Sequence, residues 1–172
     1  MKKDDTFESE RLLFRGINEG DAELLVKWRS DPEVILYFRS SEPITVQKHL
    51  YWYERYYRQN LDRFDFIMIQ KKSGQLIGTV GASNFRKESS TCEISYMIAE
   101  EACRRKGYAV EAIAAIISRL QRDGFFCFYA EIHRENDASI RTVKKLGFQF
   151  LEEHPPFCIY RKREDSYALY PR

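Results

Sequence analysis

The residue pattern predicts an α+β fold: a mixed, mostly antiparallel sheet with one parallel pair near its centre, covered by helices. Three observations predict it. Strand candidates joined by polar turns occupy 65–98. A strand–helix–strand crossover then runs over 92–132, and such a connection places two parallel strands in one sheet. A second helix and two or three short strands, broken by Pro155-Pro156 and by Arg163 to Asp165, complete the chain.

The elements follow in order. Arg11 to Ile17 alternates as a strand, and Asn18 to Asp21 supplies helix-start chemistry. Leu24, Leu25 and Trp28 share a helical face, and Asp31-Pro32 stops that helix. Thr45 is the N-cap of a second helix whose stripe is Val46, Leu50, Tyr53 and Tyr57. Asp65 to Gln70 and Leu76 to Ser83 form a hairpin about Lys71 to Gly74, and Cys92 to Ile98 is the next strand. From Tyr108, the apolar positions Val110, Ile113, Ile117 and Leu120 predict a helix ended by Gly124. Phe126 to Ile132 lacks alternation and reads as a strand buried on both faces. Asp137 to Leu146 is a helix closed by Gly147. The order is β-α-α-β-β-β-α-β-α-β-β.

At 172 residues the chain is one domain, 1–172, large enough to fold on its own core. Apolar residues at 44% and charged residues at 31% exclude a disordered or fibrous chain. A net charge of +2 argues against nucleic acid as a partner. The apolar runs 112–117 and 125–130 are too short for a membrane span. The polar start Met1 to Asp5 is not a secretory signal. Cys92, Cys103, Cys127 and Cys158 are scattered without a CxxC, so a cytoplasmic protein with reduced thiols and no metal site is expected.

The segment richest in chemistry is Arg104-Arg105-Lys106-Gly107-Tyr108-Ala109, at a strand-to-helix junction. Free amides at a helix start form an anion site. Gly107 admits close approach to a phosphate, and the basic side chains add positive charge. From the residues alone, the same run also suits a solvated basic turn. GxGxxG and GxxxxGK[ST] are both absent.

Arg104-x-x-Gly107-x-Ala109 resembles the acetyl-CoA pyrophosphate loop of the GNAT N-acetyltransferase superfamily. Its surroundings match in order: Glu93-Ile94-Ser95-Tyr96 before it, Glu111-Ala112 after it, and Asn136 to Ile140 through Lys145-Leu146-Gly147-Phe148 beyond. Leu12 to Arg15 and Leu76-Ile77-Gly78 also match. The resemblance implies about four flanking helices and a splayed parallel pair that admits acetyl-CoA as co-substrate. It implies that Met97 and Ile98 offer main-chain groups to the pantetheine arm. The amides of Arg104, Arg105, Lys106, Gly107, Tyr108 and Ala109 hold the diphosphate, and Asn136 bonds the cofactor near the acetyl end.

Acetyl transfer to an amine requires a base, an oxyanion donor and an acid for the departing thiolate. Glu93 is the first candidate base, with Glu131 and His133 as alternatives; a strand glutamate paired to a Lys or Arg is the structural reading. Many family members carry a tyrosine acid where this chain has Val143, which leaves Ser139 as candidate donor or as a capping serine. Direct transfer in a ternary complex is expected, because Cys92 and Cys127 lie in apolar strands.

The acceptor site is expected around the first two helices, where Tyr37, Phe38, Tyr51, Trp52, Tyr53, Tyr56 and Tyr57 gather, partly as core and partly as pocket. Trp28 to Val34 resembles both the ribosomal-protein alanine acetyltransferases and the nucleotide-amino-sugar N-acetyltransferases, and His49-x-x-Trp52 leans to the sugar branch. The acceptor is thus a nucleotide-linked amino sugar, a protein N-terminus or another small amine. A non-catalytic CoA-binding module is the rival class. An exposed last strand offers a surface for a homodimer.

Overall fold

The computed structural model describes residues 1–40 and 42–164. One sheet holds eight strands in the order β1-β2-β3-β4-β5-β6-β8-β7. They are β1 (Thr6–Glu8), β2 (Leu12–Gly16), β3 (Arg63–Gln70), β4 (Leu76–Arg86), β5 (Thr91–Ile98), β6 (Cys127–His133), β7 (Gln149–His154) and β8 (Phe157–Arg163). The helices are α1 (Ala22–Arg29), α2 (Pro32–Ile35), α3 (Val46–Trp52), α4 (Tyr108–Arg122) and α5 (Asp137–Lys145). Every pairing is antiparallel except β5 with β6.

Two elements exceed the expectation. β1 precedes the first predicted strand and carries only one apolar side chain, Phe7, too few to show a period. Phe7 stacks on Phe14 with ring centroids 4.5 Å apart. α2 begins where Asp31-Pro32 ends α1, because Pro fits the first helical turn and the Asp31 carboxylate accepts from Glu33 N–H.

The sheet separates two apolar clusters. α4 and α5 cover one face: Ala112, Ile113, Ile116, Ile117, Leu120 and Val143 pack against Phe14, Phe66, Val80, Ile94 and Phe128. On the other face, Leu25, Trp28, Tyr53 and Tyr57 pack on Ile17 and Ile67. Thr45 caps α3 as expected, accepting from Lys48 N–H at 3.2 Å. The helix then widens into a π turn over Tyr53–Tyr57, with Arg58 N–H bonded to the Tyr53 carbonyl. This turn buries Tyr53 and Tyr57 together. The Tyr57 hydroxyl donates to the Asp65 carbonyl and accepts from the Asp65 N–H, fastening the helix to β3.

Two strand readings need correction. β6 is not buried on both faces: Phe128, Ala130 and Ile132 are buried, while Tyr129, Glu131 and His133 are half-buried, the last two along a cleft. A strand edging a cavity keeps polar alternation that its apolar ends conceal. The last described strand, β8, lies inside the sheet between β6 and β7, and β7 forms the exposed edge. The third strand allowed for this stretch would fall in 165–172, outside the described residues.

Candidate active site

The parallel pair holds for three rungs only: Thr91 with Cys127, Cys92 with Phe128, and Glu93 with Tyr129. Beyond Glu93 the strands part, and α2, the 104–109 loop and the start of α5 complete the walls of a cleft of about 830 Å³. Glu93 therefore stands at the apex of the V.

The loop at the cleft's far end suits an anion. Arg105 (φ +59°) and Gly107 (φ +81°) both adopt left-handed backbone, the arrangement that turns successive amides into a concave nest. The first helical bond of α4 runs from Glu111 N–H to the Gly107 carbonyl, so the amides of its first turn remain free for a ligand. The side chains divide the work. Arg104 is tied to Glu33 (2.5 Å), Asp31 (3.4 Å) and the carbonyls of Ile98 and Ala99, so it braces the loop against α2. The Tyr108 ring is buried beneath the Arg11 guanidinium, 4.4 Å away, and its hydroxyl accepts from the Gln70 amide. Arg11 donates to the Lys106 carbonyl and pairs with Glu111 at 2.6 Å. Exposed Arg105 and half-buried Ala109 line the cleft.

One main-chain expectation is corrected. Ala99 N–H is bonded to the Ile77 carbonyl of β4, and the Met97 carbonyl lies where a Cβ on Gly78 would strike it at 1.9 Å. Strand alternation then turns the main-chain groups of Met97 and Ser95 to β4, and those of Tyr96 and Ile98 to the open edge. Met97 lines the cleft with its main-chain groups turned to β4, and Tyr96 has the outward main-chain groups expected of Met97.

The polar side chains converge at the apex and on α5. Glu93 Oε2 accepts from the Asn84 amide at 2.8 Å; its partner is a neutral amide, not a Lys or Arg. Glu131 is taken by the Arg39 guanidinium. His133 Nδ1 accepts from Glu135 N–H, and its ring packs edge-on to Phe157. Of the two candidate carboxylates, Glu93 alone lies free of an ion pair. Asn136, not Ser139, caps α5, accepting from Ser139 N–H at 3.1 Å. That leaves the Ser139 hydroxyl available. Val143 is fully buried in the core and presents nothing to the cleft.

Sequence reasoning missed the Tyr96 phenol. Its hydroxyl donates to the Ser139 carbonyl at 3.1 Å, bridging β5 to α5 across the splay, and burial pushes its pKa up to about 12. Tyr96, Ser139 and Thr142 thus bring three hydroxyls to one wall. The signal was Tyr96's place on the splayed strand. Burial also raises the Cys92 thiol to about 12, far from a nucleophilic thiolate.

The aromatic reading of the acceptor site holds only in part. Tyr37 and Phe38 line the cleft and Tyr53 and Tyr57 are core, as their shared stripe implied, but Tyr51 and Tyr56 are 59% exposed against each other. His49 is buried, its Nε2 without a hydrogen-bond partner among the described residues. Beside the apex lies instead a polar chamber of about 400 Å³, lined by Asp62, Arg63, Asn84 and Glu93 and opening past Arg39 and Glu131.

A strand pair splayed beside a helix-start amide nest forms an open cleft that suits an extended, anion-bearing ligand. The comparisons identify it further: residues 11–149 match the acetyltransferase (GNAT) domain, and the chain belongs to this family. It is similar to an uncharacterized Methanocaldococcus jannaschii protein, 27% identical over 145 residues, spanning 83% of this chain but only 29% of that protein's length. The structure of FdhC, a nucleotide-linked sugar GNAT, superposes with a TM-score of 0.80 at 20% identity, covering 96% of this chain and 94% of that one. RimL, a ribosomal L7/L12 acetyltransferase solved with coenzyme A, superposes with a TM-score of 0.75 at 12% identity, covering 94% and 99%. At these identities the structures share the fold. Among the described residues no helix is long and apolar enough to cross a membrane, and no cluster of three metal-ligating side chains occurs.

Proposed function

We propose that this chain, acting as one domain over 1–172, transfers the acetyl group of acetyl-CoA to a primary amine by direct attack in a ternary complex. The observation that carries this reading is the continuity of three features along one cleft. The free amides at the start of α4 take the diphosphate. The outward main-chain groups of Tyr96 and the Ile98 N–H take the pantetheine arm. Glu93 waits where the strands meet.

Glu93 draws the ammonium to the apex and takes its proton through its free carboxylate oxygen, directly or by one water. The neutral nitrogen attacks the thioester carbonyl. The C–S bond breaks, the thiolate takes a proton from the Ser139 hydroxyl, whose wall also holds Tyr96, and the proton that the nitrogen sheds on becoming the amide returns to Ser139 through water. Asn136, at the start of α5, faces the acetyl end. Holding both reactants in the cleft converts a bimolecular step to an intramolecular one, worth about 7 kcal/mol or more when alignment is good. The buried Cys92 thiol supports direct transfer over an acetyl-cysteine.

The acceptor we favour is a nucleotide-linked amino sugar. The polar chamber beside Glu93 and the fold shared with a nucleotide-linked sugar GNAT support it. Four free thiols support a cytoplasmic location. The test is thiol release from acetyl-CoA with a panel of nucleotide amino sugars, N-terminal peptides and polyamines. Turnover with the sugars supports the whole reading. Turnover confined to peptides or polyamines replaces the acceptor, and acetyl-CoA binding without turnover on any amine makes the chain a binding module.

A further inference from the structure

Glu131 is a largely covered carboxylate, its side chain 18% exposed, yet its partner is Arg39, whose side chain is 72% exposed. Arg39 comes from the segment between α2 and α3 and crosses to β6, its guanidinium lying 5.1 Å from the Phe157 ring. Both residues line the large cleft and the polar chamber, so the ion pair stands at the junction of the two. The same segment touches β6 once more, where the Tyr37 ring lies 5.9 Å from His133.

Strand geometry fixes what lies beneath the pair. Tyr129 is the rung opposite Glu93, and Glu131 is two residues further along β6. Alternation puts Glu93, Tyr129 and Glu131 on one face, with Glu131 roughly 7 Å of strand beyond the apex. A cation held on Glu131 therefore stands at the mouth of the chamber that ends at Glu93. The chamber wall is polar, with Asp62 accepting from Phe85 N–H at 2.5 Å and Arg63 paired to Asp65 at 2.6 Å. Glu93 has a neutral hydrogen-bond partner and Arg63 in the chamber wall is held by Asp65, so among the described residues Arg39 is the cation paired to Glu131 at the junction.

We propose that the Arg39–Glu131 ion pair is a gate, and that the ammonium of a small hydrophilic acceptor displaces Arg39 from Glu131 before reaching Glu93. The proposal rests on the acetyltransferase reading above and adds the residue that selects the acceptor. Glu131 keeps a cation partner in both states, so the covered carboxylate is never left alone. Arg39 swings out into solvent, where its charge is hydrated. An apolar-flanked peptide terminus gains nothing from the exchange, because the chamber offers it no apolar wall.

The test is calorimetric binding of glucosamine, spermidine and the tripeptide Ala-Leu-Phe to wild type, Arg39→Ala and Glu131→Gln, each with and without coenzyme A. Arg39 competes from a solvated position, so removing it should tighten both hydrophilic amines by about fivefold. Removing the Glu131 charge should weaken them by about 10- to 100-fold. Coenzyme A affinity should stay within about twofold in Arg39→Ala, which as a surface change keeps the fold whatever Glu131→Gln does. Equal amine affinities for wild type and Arg39→Ala, no binding of either hydrophilic amine, or tightest binding of the tripeptide would overturn the gate. Failure of wild type to bind coenzyme A would instead overturn the acetyltransferase reading, while the amine arm without coenzyme A still decides the gate.

Discussion

Glu93→Gln isolates the chemistry from the fold. Glutamine matches glutamate in volume, and its carbonyl oxygen can keep the 2.8 Å bond from the Asn84 amide. Glu93 is half-buried and bonded to a neutral group, so no ion pair is broken. Stability should change by less than about 0.5 kcal/mol, as for a surface substitution. Acetyl-CoA affinity should hold, because the phosphate nest and the strand edge are untouched. Loss of a positioned base removes about 10²- to 10⁴-fold in turnover. At 1.36 kcal/mol per decade, that raises the barrier by about 2.7–5.4 kcal/mol. The assay is thiol release with the amine that wild type uses best, alongside acetyl-CoA titration and thermal unfolding. Turnover within threefold of wild type, with the fold intact, would remove Glu93 as base. A parallel loss of acetyl-CoA binding would show that the substitution acts on the cleft and not on the proton.

The Ser139 hydroxyl and the Tyr96 phenol can be separated. Ser139→Ala leaves the carbonyl that Tyr96 bonds and should slow thiol release by about 10²-fold or more if Ser139 is the acid, while Tyr96→Phe should act mainly through loss of the β5–α5 bridge. The reverse ranking in single-turnover kinetics would transfer the role to Tyr96. Gly107→Val should weaken acetyl-CoA binding, because the left-handed φ of +81° costs a β-branched residue about 1–2 kcal/mol and relaxing it turns the amides away; unchanged affinity by titration would contradict the nest. Lys3 gives a pH signature. Desolvation lowers its folded-state pKa to about 8 against opposing attraction from Asp65, while the unfolded value stays at 10.5. The unfolded chain then binds more protons between these values, so Lys3 makes stability rise with pH across that window. Urea unfolding at pH 7, 8 and 10 should show a smaller rise in Lys3→Met, and an unchanged slope would refute the assignment.

The sequence made the fold legible where period and punctuation agreed. Gly124 and Gly147 end α4 and α5 at φ +89° and +84°, and the hairpin between β3 and β4 turns at Gly74 as expected. The loop around Gly107 was equally readable, since helix-start amides follow from chain position alone. Side-chain destinations were not readable, because they depend on contacts remote in sequence. Arg104 bonds Glu33, 71 positions away, and Arg39 bonds Glu131, 92 positions away. Met97 and Ile98 were equally plausible as main-chain donors until the pairing of β4 with β5 fixed which turns outward. Tyr53 and Tyr57 read as core from their shared stripe and are core, but the π turn that buries both follows no local signal.

The measurement that bears most directly on the account is a crystal structure grown with coenzyme A. The account predicts the diphosphate on the amides between Arg105 and Ala109, the pantetheine arm along Tyr96 and Ile98, and the sulfur within reach of Ser139 and Glu93. Coenzyme A bound elsewhere, or absent at saturating concentration, would contradict it.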